Sequence, residues 1–411
     1  MASSPSTETG RRAPAFVPAL DGLRGILTLV VLFHHVFTSV FFILPKEATA
    51  SWWPHTSLLL GSEITLPIYF VISGFVIFLP AARGNGSLGD LKWYALRRVA
   101  RIVPAYYVML LVLILGWPFL IQDVPSPMAT GRGVELLFGH LVFLQKALYD
   151  EVDIGFGMNG SVWTLTLEEF FYASIPLAAP FFFRRPLRTL GVAFALGLSW
   201  RLGCLFLPEL ARFFSAPAPD ALLPAHLFHQ FPGYVFQFAC GSAAARLYVL
   251  NWGRFDSPAA QRALRIVHHA CLLILFAELE LAGIFRTPRN GIPLDLQRDM
   301  TPALVFAILI LAVALGPEEN RKLYTNRICR FLGDTSYGVY LWHMVLIQVV
   351  YRAFHLERAT AAGAAWTLSV WVLPGSLVLG YLSFRFLERP LSLYARRVWT
   401  ERQAVPAPSA G

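Results

Sequence analysis

The chain has 411 residues, 56% of them hydrophobic and 14% charged, with a net charge of +9 at pH 7 and a mean hydropathy of +0.55. A water-soluble domain carries about 25% charged residues, so this chain has too few to cover its surface in water, and lipid is the solvent that remains. The basic residues sit between apolar stretches rather than along one soluble face, which sets nucleic acid aside as a partner and fits the positive-inside pattern.

Apolar windows long enough to cross a bilayer predict an all-α integral membrane protein. The expected architecture is a bundle of about ten transmembrane helices near residues 18–43, 57–80, 100–121, 162–183, 187–208, 230–250, 266–285, 301–316, 335–352 and 364–387. The loops favour both ends inside, a multi-pass arrangement in the plasma (inner) membrane. Arg11, Arg12, Arg97, Arg98, Arg101, Arg184, Arg185 and Arg188 fall on the inner side, with Arg396 and Arg397 in the tail. Residues 1–16 are expected to be a disordered cytosolic tail, 17–390 the membrane domain, and 391–411 a basic and then disordered cytosolic tail. The apolar run from Phe16 to Leu44 is too long for the h-region of a signal peptide and reads as a retained span. A long outside loop, about 122–160, joins helices 3 and 4. It either covers an outward-facing site or merely connects. The four cysteines have no CxxC spacing and three lie in apolar runs, so neither a disulfide framework nor a metal site is expected, only buried thiols.

The chemistry-bearing motifs follow the chain. LDGLRGILTLVVLFHHVF opens the first span, with Asp21 as a possible N-cap. Arg24 and His35 are eleven residues apart, nearly on one helical face and separated by roughly 16 Å. An imidazole at that depth can act as general base toward a hydroxyl, or simply hydrogen-bond a neighbouring helix. His34 is its rival one step round the helix. FVISGF carries Ser73 and Gly74, with Gly74 read as a close helix contact. RRVARIVPAYY puts Arg98 and Arg101 three apart at the entry of the third span, either as a fork for phosphate oxygens or as flanking charge.

SVWTLTLEEFFY opens the fourth span with Trp163, Glu168 and Tyr172. Carboxylates in a span are costly unless paired or lining a cavity. Glu168 can accept from an acceptor hydroxyl, orient His35, or form a structural helix pair. SYGVYLWH holds Ser336, Tyr337, Gly338, Tyr340 and His343, with Gly338 read as a packing residue and His343 as a satisfied buried histidine. FLERP places Glu388 and Arg389 as a membrane-exit salt bridge. Arg201, Glu278 and Glu280 also lie within spans, without a specific role.

Taken together and in this order, these motifs resemble the membrane acyltransferase family called acyltransferase type three, which includes O-acetylases of bacterial surface polysaccharides. The resemblance covers residues 19–390. It implies a ten-helix bundle with both ends inside, acyl-CoA as co-substrate with acetyl the default acyl group, no bound cofactor, and a hydroxyl of a carbohydrate or glycoside as acceptor. It would make His35, supported by Arg24 and Glu168, the catalytic group, and would give Arg98 and Arg101 the donor's phosphates. Ser73, Trp163, Tyr172, Tyr337 and His343 would line the substrate chamber. The chain departs from the family pattern at ITLPIYF, where Pro67 stands in place of an acid and Glu63 lies a turn earlier. It departs again at LEEFFY, where Phe170 replaces a polar residue. A secondary transporter of acylated sugars or lipid-linked glycans is the alternative, but the paired halves that transporters show are absent from the sequence.

Overall fold

The computed structural model describes residues 12–44, 65–120, 133–148, 159–206, 229–284 and 300–404, and among these every regular element is helical. The helices are α1 (Pro18–Ile43), α2 (Thr65–Arg83), α3 (Leu91–Leu120), α4 (Gly133–Leu141), α5 (Trp163–Arg184), α6 (Pro186–Phe206) and α7 (Phe231–Asn251). They continue with α8 (Pro258–Ile284), α9 (Met300–Ala314), α10 (Glu318–Thr325), α11 (Arg327–Ala353), α12 (Ala361–Ser383) and α13 (Arg389–Ala404). Short helical turns occupy Gln145–Leu148, Gly160–Val162 and Leu356–Arg358, and a π-helical turn, Phe384–Glu388, joins α12 to α13.

The ten-span bundle is not what the structure supports. Among the described residues four stretches are long and apolar enough to cross a membrane: Pro18–Val40, Thr65–Arg83, Leu91–Trp117 and Ala361–Thr400. The pair α9 and α10, bent by 107°, would make a fifth if it counts as one span. The physical reason lies in the charge, prolines and length of the others. Helix α5 carries Glu168, Glu169 and two prolines, and α8 carries Arg262, Arg265, Glu278 and Glu280. Helix α9 has 15 residues, or about 22 Å, against a hydrocarbon core of about 30 Å. The orientation inferred from ten spans falls with that count. The chain remains a multi-pass membrane protein, and α3 and α12 turn Leu111, Leu115, Trp366 and Trp371 outward, each more than half exposed.

Smaller expectations are also corrected. The stretch read as one outside loop contains α4, while its acids Asp123, Asp150, Glu151 and Asp153 lie outside the described residues, as does Glu63. Helix α1 begins at Pro18 without a side-chain cap, and Asp21 pairs with Arg24 instead. The basic stretch after residue 390 is helical as far as Ala404, and Trp399 stacks on Trp93 of α3 at 5.0 Å between ring centroids.

Two tight seams organise the core. In the first, α2 and α7 approach so closely that a Cβ on Gly74 would strike the Phe238 carbonyl, and one on Gly241 the Val71 carbonyl. In the second, α1 lies against α11. A Cβ on Gly25 would strike the Gly333 backbone, and one on Gly333 the Asp21 carbonyl. Gly338 of α11 meets Gly380 of α12 in the same way. Small residues let helix backbones approach where lipid supplies no hydrophobic drive, so the packing reading of Gly74 and Gly338 holds. Asn326 caps α11 by accepting the Cys329 N–H at 2.9 Å, and Thr360 caps α12 by accepting the Gly363 N–H at 3.1 Å. All four cysteines are free and buried, as expected.

Candidate active site

The α1–α11 seam carries a histidine pair. His35 Nδ1 lies 2.9 Å from His343 Nε2, with ring centroids 4.9 Å apart. His343 is buried at 1% exposure, and its Nδ1 sits 2.7 Å from the Tyr340 carbonyl oxygen and 3.2 Å from that of Val339. His35 is half-buried. His34 is buried, with its backbone carbonyl accepting from Thr38 Oγ1 at 2.7 Å. It is therefore His35 that turns to α11.

A second polar centre forms where α2 meets α5. Glu168 accepts Ser73 Oγ at 3.0 Å and Tyr172 OH at 2.8 Å, so both carboxylate oxygens are occupied by hydroxyl donors. This answers the cost of an acid in the bundle. It also places Glu168 differently from the expectation that it orients His35: the group on the His35 ring is His343. Tyr337 and Tyr340 of α11 lie within electrostatic range of Glu168. Tyr337 OH donates to the Ile102 carbonyl at 2.9 Å, and Tyr340 OH to the Ser161 carbonyl at 2.7 Å. The Tyr340 and His343 rings are 6.2 Å apart, so the two centres are linked through one face of α11.

The arginines line the other end. Arg24 Nη1 contacts Asp21 Oδ1 at 3.3 Å, and its charge is felt by Glu168 and Arg101. Its backbone carbonyl accepts from Tyr69 OH at 3.0 Å and from Thr28 Oγ1 at 2.9 Å, and those two hydroxyls hydrogen-bond each other. The Arg98 guanidinium lies over the rings of Tyr94, at 5.6 Å, and Tyr172, at 5.4 Å. Arg101 is exposed and within electrostatic range of Asp334 and Glu388. The expected Glu388–Arg389 exit bridge is replaced. The π-helical turn buries Glu388, which accepts Ser383 Oγ at 2.8 Å, while Arg389 faces Asp334.

Among the residues read as chamber lining, Ser73 and Tyr172 belong to the Glu168 centre and His343 to the histidine pair, while Tyr337 lies within electrostatic range of Glu168. Trp163 belongs to a neighbouring cluster. It stands 5.1 Å from the His229 ring and under the buried Lys146 ammonium at 5.3 Å. Arg201 is buried nearby, donating to the Gly233 carbonyl at 3.0 Å.

Residues 17–385 match the acyltransferase domain family. The chain belongs to that family. Among its relatives, this acyltransferase-family chain is 23% identical over 399 residues to the peptidoglycan O-acetyltransferase OatA of Listeria monocytogenes, covering 93% of this chain and 57% of OatA. It is 29% identical over 327 residues to the exopolysaccharide production protein ExoZ of Rhizobium meliloti, covering 79% of this chain and 87% of ExoZ. It is 26% identical to the acyltransferase MdmB of Streptomyces mycarofaciens, covering 93% of each. The chain thus spans little more than half the length of OatA and nearly all of MdmB. No solved structure matches it.

Sequence reasoning missed Tyr69 and Asn159, and named Tyr340 in SYGVYLWH without giving it a role. Tyr69 lies in ITLPIYF, four residues before Ser73, and this helical spacing puts it on the Ser73 face. That was the signal available. Asn159 is fully buried and donates to the Leu341 carbonyl at 2.7 Å, and Ser161 Oγ donates to its side-chain oxygen at 2.7 Å. Nothing in its local sequence marks it.

Proposed function

We propose that the protein is an acyl-CoA-dependent O-acyltransferase of the plasma membrane, acetylating a hydroxyl of a carbohydrate or glycoside. The observation that carries this reading is the half-buried His35 imidazole, held by His343 on a face that also presents Arg24 toward Glu168. The names of OatA and MdmB favour acyl transfer, and those of OatA and ExoZ a polysaccharide-type acceptor.

In this mechanism acyl-CoA enters from the end where Arg98 and Arg101 lie. Guanidinium groups suit phosphate oxygens by fork geometry, and the buried Arg98 Nε has no acceptor among the described residues. Arg24 adds positive charge between that entry and Glu168. Glu168, with Ser73, Tyr172 and Tyr337 around it, receives the acceptor's hydroxyls. As the reacting hydroxyl oxygen bonds to the thioester carbonyl carbon, its proton passes to the His35 imidazole. The tetrahedral adduct then collapses, the C–S bond breaks, and the leaving thiolate takes that proton. The products are the ester and free CoA thiol.

The test is thiol release from acetyl-CoA by detergent-purified protein supplied with a glycan acceptor. General base catalysis contributes about 10²–10⁴-fold, so His35→Ala should lower turnover by at least about 100-fold while keeping the melting temperature of the parent. Unchanged turnover would remove the mechanism. A protein that merely transported its ligand would release no thiol in either form.

A further inference from the structure

We infer that His343 is a positioning residue that fixes the tautomer of His35. The inference rests on His35 as the base. The argument is one of hydrogen-bond donors and acceptors. A backbone carbonyl can only accept, so His343 Nδ1, aimed at the Tyr340 and Val339 carbonyls, carries the hydrogen. His343 is buried among apolar helices, and among the described residues no carboxylate hydrogen-bonds to it, so its ring is neutral. In a neutral imidazole with hydrogen on Nδ1, Nε2 is an acceptor. Across 2.9 Å it faces His35 Nδ1, which must then donate. The hydrogen of neutral His35 is thereby held on Nδ1, and its Nε2 keeps a bare lone pair. That nitrogen makes no hydrogen bond among the described residues and is not one of the buried polar atoms that lack a partner.

The chain Tyr340 C=O, His343, His35 thus runs in one direction and ends in a base. This is the logic by which a third group orients a catalytic imidazole. Here a second histidine, itself fixed by its own helix backbone, takes the place that a carboxylate holds in other sites. The backbone anchor also explains why His343 needs no partner beyond α11 and α1. The pairing survives only while the two helices keep register, which the Gly25–Gly333 contact enforces.

Two variants and one spectrum test it. His343→Met keeps the volume and removes the acceptor nitrogen. It should lower kcat for thiol release by about 100-fold, within the range general base catalysis supplies, and leave KM for acetyl-CoA nearly unchanged. His343→Gln returns a side-chain carbonyl to the place of Nε2 and should recover a substantial part of the loss. A folded Met variant with parental kcat, or Gln and Met variants equally impaired, would overturn the assignment. The measurement that does not depend on the variants is 15N NMR of histidine-labelled wild-type protein, with the His35 signals found by their loss in His35→Asn. Protonated Nδ1 and bare Nε2 are expected, and the reverse would sink the inference. Failure here with an inactive His35→Ala protein leaves the base in place without its positioner. An active His35→Ala protein removes the base itself.

Discussion

Glu168 shows how an acid survives inside the bundle. Its two oxygens each accept a hydroxyl, from Ser73 and from Tyr172, and hydrogen bonds to a charged group are worth about 1.5–3 kcal/mol each. Glu168→Gln keeps the shape but turns an amide N–H₂ toward one of these donors. It should lower both the melting temperature and kcat, whereas Ser73→Ala should cost less, because Tyr172 still holds the carboxylate. Tyr69→Phe removes the donor to the Arg24 carbonyl and should lower stability by about 1 kcal/mol, read as a fall of a few degrees in thermal melting. Arg24, His35 and Glu168 were legible because an ionisable side chain in an apolar run needs a reason to be there. Tyr69 and Tyr340 were not, since a tyrosine in such a run looks like core, and only the fold shows what its hydroxyl reaches. The His35–His343 contact joins residues 308 positions apart, which no local spacing reveals.

At the level of helices, the glycines of LDGLRG acquire a purpose. Gly22 faces the Tyr324 carbonyl of α10 and Gly25 the Gly333 backbone of α11, so neither tolerates a side chain without pushing α1 off the helix it meets. Overpacking of this kind costs typically 1–3 kcal/mol. Gly25→Leu should therefore lower the melting temperature. It should also reduce kcat out of proportion to the protein lost, because the histidines at the far end part company. Measuring turnover per folded molecule separates the two effects. The helical segments themselves were readable from apolar runs. How many cross the bilayer was not, because α5, α7 and α11 direct Glu168, Gln237 and Ser336 inward. Hydropathy averages over a whole helix and is blind to which face a polar residue occupies, so a helix that suits a protein interior fails a test designed for lipid contact.

Across the whole molecule, the net charge of +9 and the arginines at the proposed donor end predict a salt effect. Raising ionic strength from low to physiological values shortens the Debye length to about 8 Å. KM for acyl-CoA should rise while kcat stays level, and a kcat that fell in parallel would point to salt acting on the fold. Arg98→Ala should raise the same KM by about tenfold or more, the equivalent of one charge-assisted hydrogen bond, and flatten its salt dependence. The family match extends over most of the chain, in keeping with motifs that are scattered along the sequence.

That face has a geometry worth following to its end. From Gly25 to His35 on α1 and from Gly333 to His343 on α11 the count is the same, and both contacts are made. The two helices therefore run side by side as a matched rail, clamped at one tip by bare backbone and at the other by paired rings. A rail of this kind resists sliding, since a slip of a single residue would break both ends at once.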